Sequence, residues 1–181
     1  MNIEFWTRAS PRRKRILSTL AIFVAALLIT VLGMLIPISN QDANKISNDL
    51  NATVNSLKAT NSLPSYIFGN NFVICLMMFI PIAGPIFGFY VLFNTGTALS
   101  AVAISQGYPP LLALLAEFLT PVFWLEFAAY SIAIAESIWL LRRILQKPTI
   151  HEFKNAGILV TICAVILFVS AYIETAIISL A

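Results

Sequence analysis

The sequence predicts an all-α protein, a polytopic transmembrane helical bundle of about five spanning helices with some broken or re-entrant pieces. Three observations carry this expectation. Hydrophobic residues make up 59% of the 181 residues and charged residues 10%. Ordinary soluble domains run near 45–50% and 25%, and a chain this short cannot hide so much apolar surface from water. The basic residues are segregated: Arg8, Arg12, Arg13, Lys14 and Arg15 stand at the start, and Arg142, Arg143, Lys147 and Lys154 form a second group. Finally, no Lys or Arg occurs from Ala59 to Leu141. The net charge of +3 therefore belongs to two basic collars at a membrane edge, not to a nucleic-acid surface. The lipid bilayer is the first partner expected. The whole chain, 1–181, reads as one integral membrane domain.

The first apolar run, Ile16 to Ile38, follows Arg12-Arg13-Lys14-Arg15. It is longer than the ~7–15 residues of a signal-peptide core and does not end at small residues. It reads as a retained spanning helix with the N-terminus cytoplasmic. Residues 39–65 form the one long polar stretch and are expected outside. Ile46, Leu50, Val54 and Leu57 recur there at helical spacing, so the segment reads as an amphipathic helix resting on the membrane or on the bundle. Asn51-Ala52-Thr53 is a glycosylation sequon within it. Leu63-Pro64-Ser65 is expected to break that helix.

From Tyr66 to Leu141 the chain is apolar and punctuated by Pro81, Gly84, Pro85, Gly107, Pro109, Pro110 and Pro121. With Tyr66 outside and Arg142 inside, an odd number of crossings must lie between. Three are expected, at 67–83, 85–105 and 121–143. The piece at 111–120 is too short to span and reads as a re-entrant or surface half-helix. Thr149-x-x-Glu152 resembles a capping box opening the last helix, which spans from about Ala156 to Ser179. The sum is a multi-pass protein of the cell membrane with its C-terminus extracytoplasmic.

Polar residues inside apolar runs are the candidate functional groups, because a charge at membrane depth is costly and tends to face protein or a cavity. Glu117 and Glu126 flank Pro121, and Tyr130 lies one helical turn after Glu126, where its hydroxyl is a potential hydrogen-bond partner. Asn70, Asn71 and Asn94 add amides to the same block. Two readings stand side by side: an ion or polar-solute site, or hydrogen-bonded groups that fix helix contacts. Glu136 and Glu174 lie near the two interfaces, where a carboxylate is tolerated. Small residues at helical spacing, Gly84 with Gly88, Gly96, and Ala129 with Ala133, predict close helix packing. Cys75 and Cys163 read as packing residues. The single histidine, His151, gives no metal cluster, and no phosphate loop, HExxH or nucleophile elbow occurs. No cofactor is expected, and the chain reads as non-enzymatic.

Asn70-Asn71, Gly84-x-x-x-Gly88, Asn94-x-Gly96 and Trp124-x-Glu126-x-x-Ala129 with Ala133 form a pattern. It resembles that of the stage II sporulation protein M family. The similarity covers about residues 66–141. Val122 to Leu125 stand where family members often carry His and Gly before the glutamate, so no His-dependent role transfers. The resemblance implies a polytopic helical membrane protein acting as a scaffold or anchoring subunit of a membrane complex, with other membrane subunits or itself as partner. Two further functions fit the residues: a transporter or channel for an ion or small polar solute using Glu126, and an accessory subunit of a membrane-bound enzyme.

Overall fold

The computed structural model describes residues 10–146 and 150–180, and among them it is helical with no strand. Seven helices follow in order: α1 (Pro11–Met34), α2 (Asn40–Ala59), α3 (Leu63–Met78), α4 (Ala83–Ser105), α5 (Pro110–Phe118), α6 (Pro121–Leu145) and α7 (Ile150–Leu180). Four of them, α1, α4, α6 and α7, are long and apolar enough to cross a membrane. With α3, an apolar helix of 16 residues, this agrees with a bundle of about five spans. At ~1.5 Å per residue α3 reaches only about 24 Å, short of a ~30 Å hydrocarbon core.

Local chemistry sets most of the boundaries. Ser10 caps α1 through the Arg13 amide, and Pro11 occupies the first turn, where its missing N–H costs nothing. The basic collar is thus part of α1, and the helix starts before the apolar run does. Ser39 caps α2, accepting from the Asp42 amide and donating to its carboxylate. Asn61 closes α2 at φ +52°, with the Ser62 amide reaching Leu57 O and the Asn61 amide reaching Lys58 O, a Schellman arrangement. Pro64 lies in the first turn of α3, so the break expected at Leu63-Pro64-Ser65 falls instead at residues 60–62, and Leu63-Pro64-Ser65 opens the next helix. Thr120 and Pro121 start α6 in the same manner as Ser10 and Pro11 start α1. Thr149 of the expected capping box lies outside the described residues. Glu152 sits in the first turn of α7.

Between α3 and α4 the chain makes a tight turn. Ile82 sits at φ +70°, ψ −59° while the Ala83 amide reaches Pro81 O. This is the strained form of the γ-turn, unusual for a β-branched residue. Ser137 of α6 donates to Ile80 O at 2.8 Å and ties the turn to the bundle.

α6 runs through the centre. Phe127, Ala129, Tyr130, Ala133, Ile134 and Trp139 along it are all buried. α1 packs on α4 and α6, α7 on α6 and α3, and α2 crosses over α4. The amphipathic α2 ends beside α7, where the Lys58 ammonium donates to Ile178 O and Leu57 joins a small core of Leu63, Ile67 and Ala171. It therefore lies across one end of the bundle. The outer wall is apolar: Ile16, Leu20, Val24, Leu28 and Leu32 of α1 repeat at four-residue spacing and are 55–61% exposed. A contiguous stripe of that kind on a soluble monomer would drive association; around a bundle of spanning helices it is a lipid-facing surface.

Glycines bring α1 and α4 into close contact. A Cβ added to Gly33 would lie 2.0 Å from Phe93 O, and one added to Gly96 would lie 1.9 Å from Thr30 O. The two backbones touch, and two hydroxyls complete the contact: Thr30 donates to Leu92 O at 3.2 Å and Thr97 to Gly33 O at 3.1 Å. Gly84 fits against Met78 O and Ser137, and Gly88 against the Ile134 side chain. Ala129 and Ala133 are fully buried. The Ala129 carbonyl meets both thiols, Cys163 Sγ at 3.5 Å and Cys75 Sγ at 3.9 Å. Both cysteines are free and buried, as packing residues would be.

Candidate functional site

Two polar constellations interrupt the apolar interior, one toward each end of α6. The first is built around Glu126, near the start of that helix. Asn71 of α3 donates its amide to Glu126 Oε1 at 2.6 Å, and Asn70 donates to Asn71 Oδ1 at 3.4 Å. Ser170 of α7 and the carboxyl groups of Glu117 and Glu174 lie in the surroundings of Glu126. The Ser170 hydroxyl is buried and makes no hydrogen bond of its own. Glu117 belongs to α5, which is pinned to α6 by the Trp124 indole donating to Phe118 O and by the Phe118 ring packing edge-to-face on Phe123 and tilted on Trp124. Partial burial pushes the Glu117 carboxyl above the ordinary carboxylate range. No group of three or more His, Cys, Asp or Glu side chains suited to a metal occurs among the described residues.

The sequence placed six residues in this site, and the structure brings five of them into one neighbourhood. Glu126, Asn71 and Asn70 form a hydrogen-bonded chain, Glu117 is close, and Tyr130 is buried in the core below. Tyr130 makes no hydrogen bond to Glu126; the carboxylate takes its donor from another helix. Asn94 is elsewhere. It is exposed on α4, and its amide donates to Tyr90 O one turn back on its own helix. Spacing along one helix identified the face Glu126 and Tyr130 share, but only the packing of α3 on α6 selects the partner.

The second constellation, at the other end of α6, was not assembled from the sequence. Arg15 of α1 reaches both oxygens of Glu136 with one guanidinium nitrogen, at 3.1 Å each. Its other terminal nitrogen is bonded to Glu152 of α7. Glu136 is 2% exposed, so a single guanidinium satisfies one deeply buried carboxylate and one partly buried one. Arg143 Nε lies 3.4 Å from Glu152. Trp139 is flanked by the Arg15 and Arg142 guanidiniums, at 5.8 and 5.5 Å from its ring, and donates its indole N–H to Ser18. This cluster ties the first helix to the last two across 121 residues of chain. A cavity of about 560 Å³ opens beside it, between α1, α6 and α7.

Glu136, expected near an interface, is buried in the bundle and paired with Arg15, toward the Arg142–Arg143 end of α6. The signal available in sequence was weak: an acid in one apolar run and an arginine in another, with nothing to indicate that the two helices touch. No family model matches the chain, and neither the curated proteins nor the solved structures compared with it include a match.

Proposed function

We propose that this chain is a non-enzymatic, multi-pass subunit that anchors or organises a complex in the cell membrane. This is the role implied by its resemblance to the stage II sporulation protein M family. The orientation proposed with it is cytoplasmic for the basic end and extracytoplasmic for α2 and the C-terminus, following the positive-inside rule.

One observation carries the reading. The strongest candidate for a transport group, Glu126, accepts a 2.6 Å hydrogen bond from Asn71 in the contact of α3 with α6, and the cavity is lined by Glu136 at the opposite end. A solute path needs polar groups that face an opening and exchange partners with the solute. Glu126 and Asn71 instead bind helix to helix, which is how intramembrane amides and carboxylates act in a packed scaffold. The glycine contacts of α1 with α4 add rigidity of the same kind.

The test is affinity purification of the native protein in mild detergent, followed by mass spectrometry of what accompanies it. Stoichiometric recovery of larger membrane proteins is the expected result. Recovery of the chain alone, as monomer or homo-oligomer, counts against the proposal and moves attention to solute flux with Glu126→Gln.

A further inference from the structure

The cavity at the basic end has a lining that the Arg15, Glu136 and Glu152 helix contacts explain only in part. Its polar lining contains Arg12, Arg15, Arg143, Glu136, Glu152 and Asn155, three guanidiniums against two carboxylates. The charges do not cancel evenly. Arg15 is committed to both Glu136 and Glu152. Arg143 lies beside Glu152, but its Nε is buried and makes no hydrogen bond. Three guanidiniums against two carboxylates leave one positive charge in excess: Arg143 shares Glu152 with Arg15, and Arg12 has no ion pair among the described residues.

The lipid-facing wall is of a different kind. Ile16 and Leu20 of α1 and Ile158 of α7 line the cavity and are 61%, 57% and 59% exposed. The cavity thus opens sideways between α1 and α7 onto the apolar surface of the bundle. Its inner wall is Trp139, fixed by its hydrogen bond to Ser18. Residual positive charge at the collar and an apolar exit below it match one kind of molecule, an amphiphile with an anionic head.

We propose that this cavity binds an anionic phospholipid, its phosphate against Arg12 and Arg143 and an acyl chain along Ile16, Leu20 and Ile158. Guanidinium forks suit phosphate oxygens, and basic pockets between spanning helices on the cytoplasmic side are where anionic headgroups lodge. A zwitterionic headgroup carries its own cation toward Arg12 and is disfavoured. A free phosphate ester lacks the chain that the apolar wall accommodates. The proposal requires the membrane setting but not the scaffold role, so the two fail separately.

The experiment is native mass spectrometry and thermal melting of the purified chain in detergent, titrated with phosphatidylglycerol, phosphatidylcholine or glycerol phosphate. Retention of one phosphatidylglycerol per chain is expected, with a matching rise in Tm, and with phosphatidylcholine held at least about fivefold more weakly. Arg12→Gln is expected to weaken phosphatidylglycerol about fivefold, the equivalent of ~1 kcal/mol per basic side chain near a charged surface. Arg12 is exposed, so the variant is expected to fold, which its melting curve without lipid checks. Arg13 neighbours it and does not line the cavity, so Arg13→Gln is expected to leave retention unchanged. Equal retention of the two lipids, or an equal loss with Arg13→Gln, would overturn the site in favour of diffuse attraction to the collar. Glycerol phosphate competing as well as the lipid would overturn it in favour of a free anion.

Discussion

At the scale of single residues, the two polar clusters differ in what their loss should cost. Glu126 has an amide partner and no nearby cation, whereas Glu136 is buried against Arg15. Removing Arg15 leaves Glu136, 2% exposed, without its counter-charge, and breaking a buried ion pair from one side costs about 3 kcal/mol or more. Arg15→Ala is therefore expected to lower thermal stability sharply, and Glu136→Gln in the same chain to recover part of the loss. A melting experiment in which the double variant is no better than Arg15→Ala would refute the pairing. Asn71→Leu is expected to be milder, about 1 kcal/mol, in line with intramembrane hydrogen bonds. Glu126→Gln keeps an acceptor for Asn71 and should be nearly neutral. A larger effect for Glu126→Gln than for Asn71→Leu, in the same melts, would mean that the charge itself is needed. The sequence singled out Glu126 because an acid in an apolar run is conspicuous. It could not name Asn71 over Tyr130, since a four-residue spacing reports a shared helix face and not which neighbouring helix covers it. Arg15 was hidden for the opposite reason: in a run of four basic residues nothing marks the one that turns inward.

At the scale of helices, the glycines separate into those that permit a contact and those that do not. Gly33 and Gly96 place backbone against backbone, where a carbonyl cannot swing aside as a side chain can. Gly33→Ala and Gly96→Ala are expected to force α1 from α4 and destabilise by a few kcal/mol, roughly the range of overpacked cores. Gly69 and Gly157 have nothing within 4 Å of an added Cβ. In a helix interior, alanine there should stabilise by about 0.5–1 kcal/mol, because glycine has more freedom to lose on folding. Melting temperatures of the four variants give a direct reading, and equal effects across them would remove the case for a close α1–α4 crossing. The stripes Gly84 with Gly88 and Ala129 with Ala133 were legible from spacing alone. Gly33 was not, because it stands by itself in α1, and its meaning depends on Thr97 and Phe93 some sixty residues on. Helix ends followed a similar division. The polar stretch at 39–65 proved helical over Asn40–Ala59 because its apolar residues keep the helical period. The start of α1 shifted to Pro11 because Ser10 and Pro11 nucleate the helix ahead of its apolar part.

At the scale of the whole molecule, charge is divided between the two ends of the bundle. Arg12, Arg15, Arg142 and Arg143 gather where α1 and α7 begin and α6 finishes, while Glu117 and Glu126 lie around the start of α6 and Glu174 near the finish of α7. The helix α2 covers that second end, with Lys58 bonded to the last turns of α7. Such a division orients a protein in a membrane, since clustered Lys and Arg resist translocation. The proposed orientation then yields a labelling experiment that the native cysteines do not obstruct, because Cys75 and Cys163 are both fully buried. Asn55 is exposed on α2 and Gln146 is exposed just after α6. In intact cells, a membrane-impermeant maleimide is expected to modify Asn55→Cys and to spare Gln146→Cys until the membrane is opened. Reaction at Gln146→Cys and protection of Asn55→Cys would invert the molecule. Reaction at both would mean that an even number of crossings separates them, and since α3, α4 and α6 are the candidate crossings in that interval, the short α3 would be the one that fails to span. Its 16 residues make it the natural weak point of the count, and its tight turn at Ile82 places the start of α4 at the same depth as its own finish.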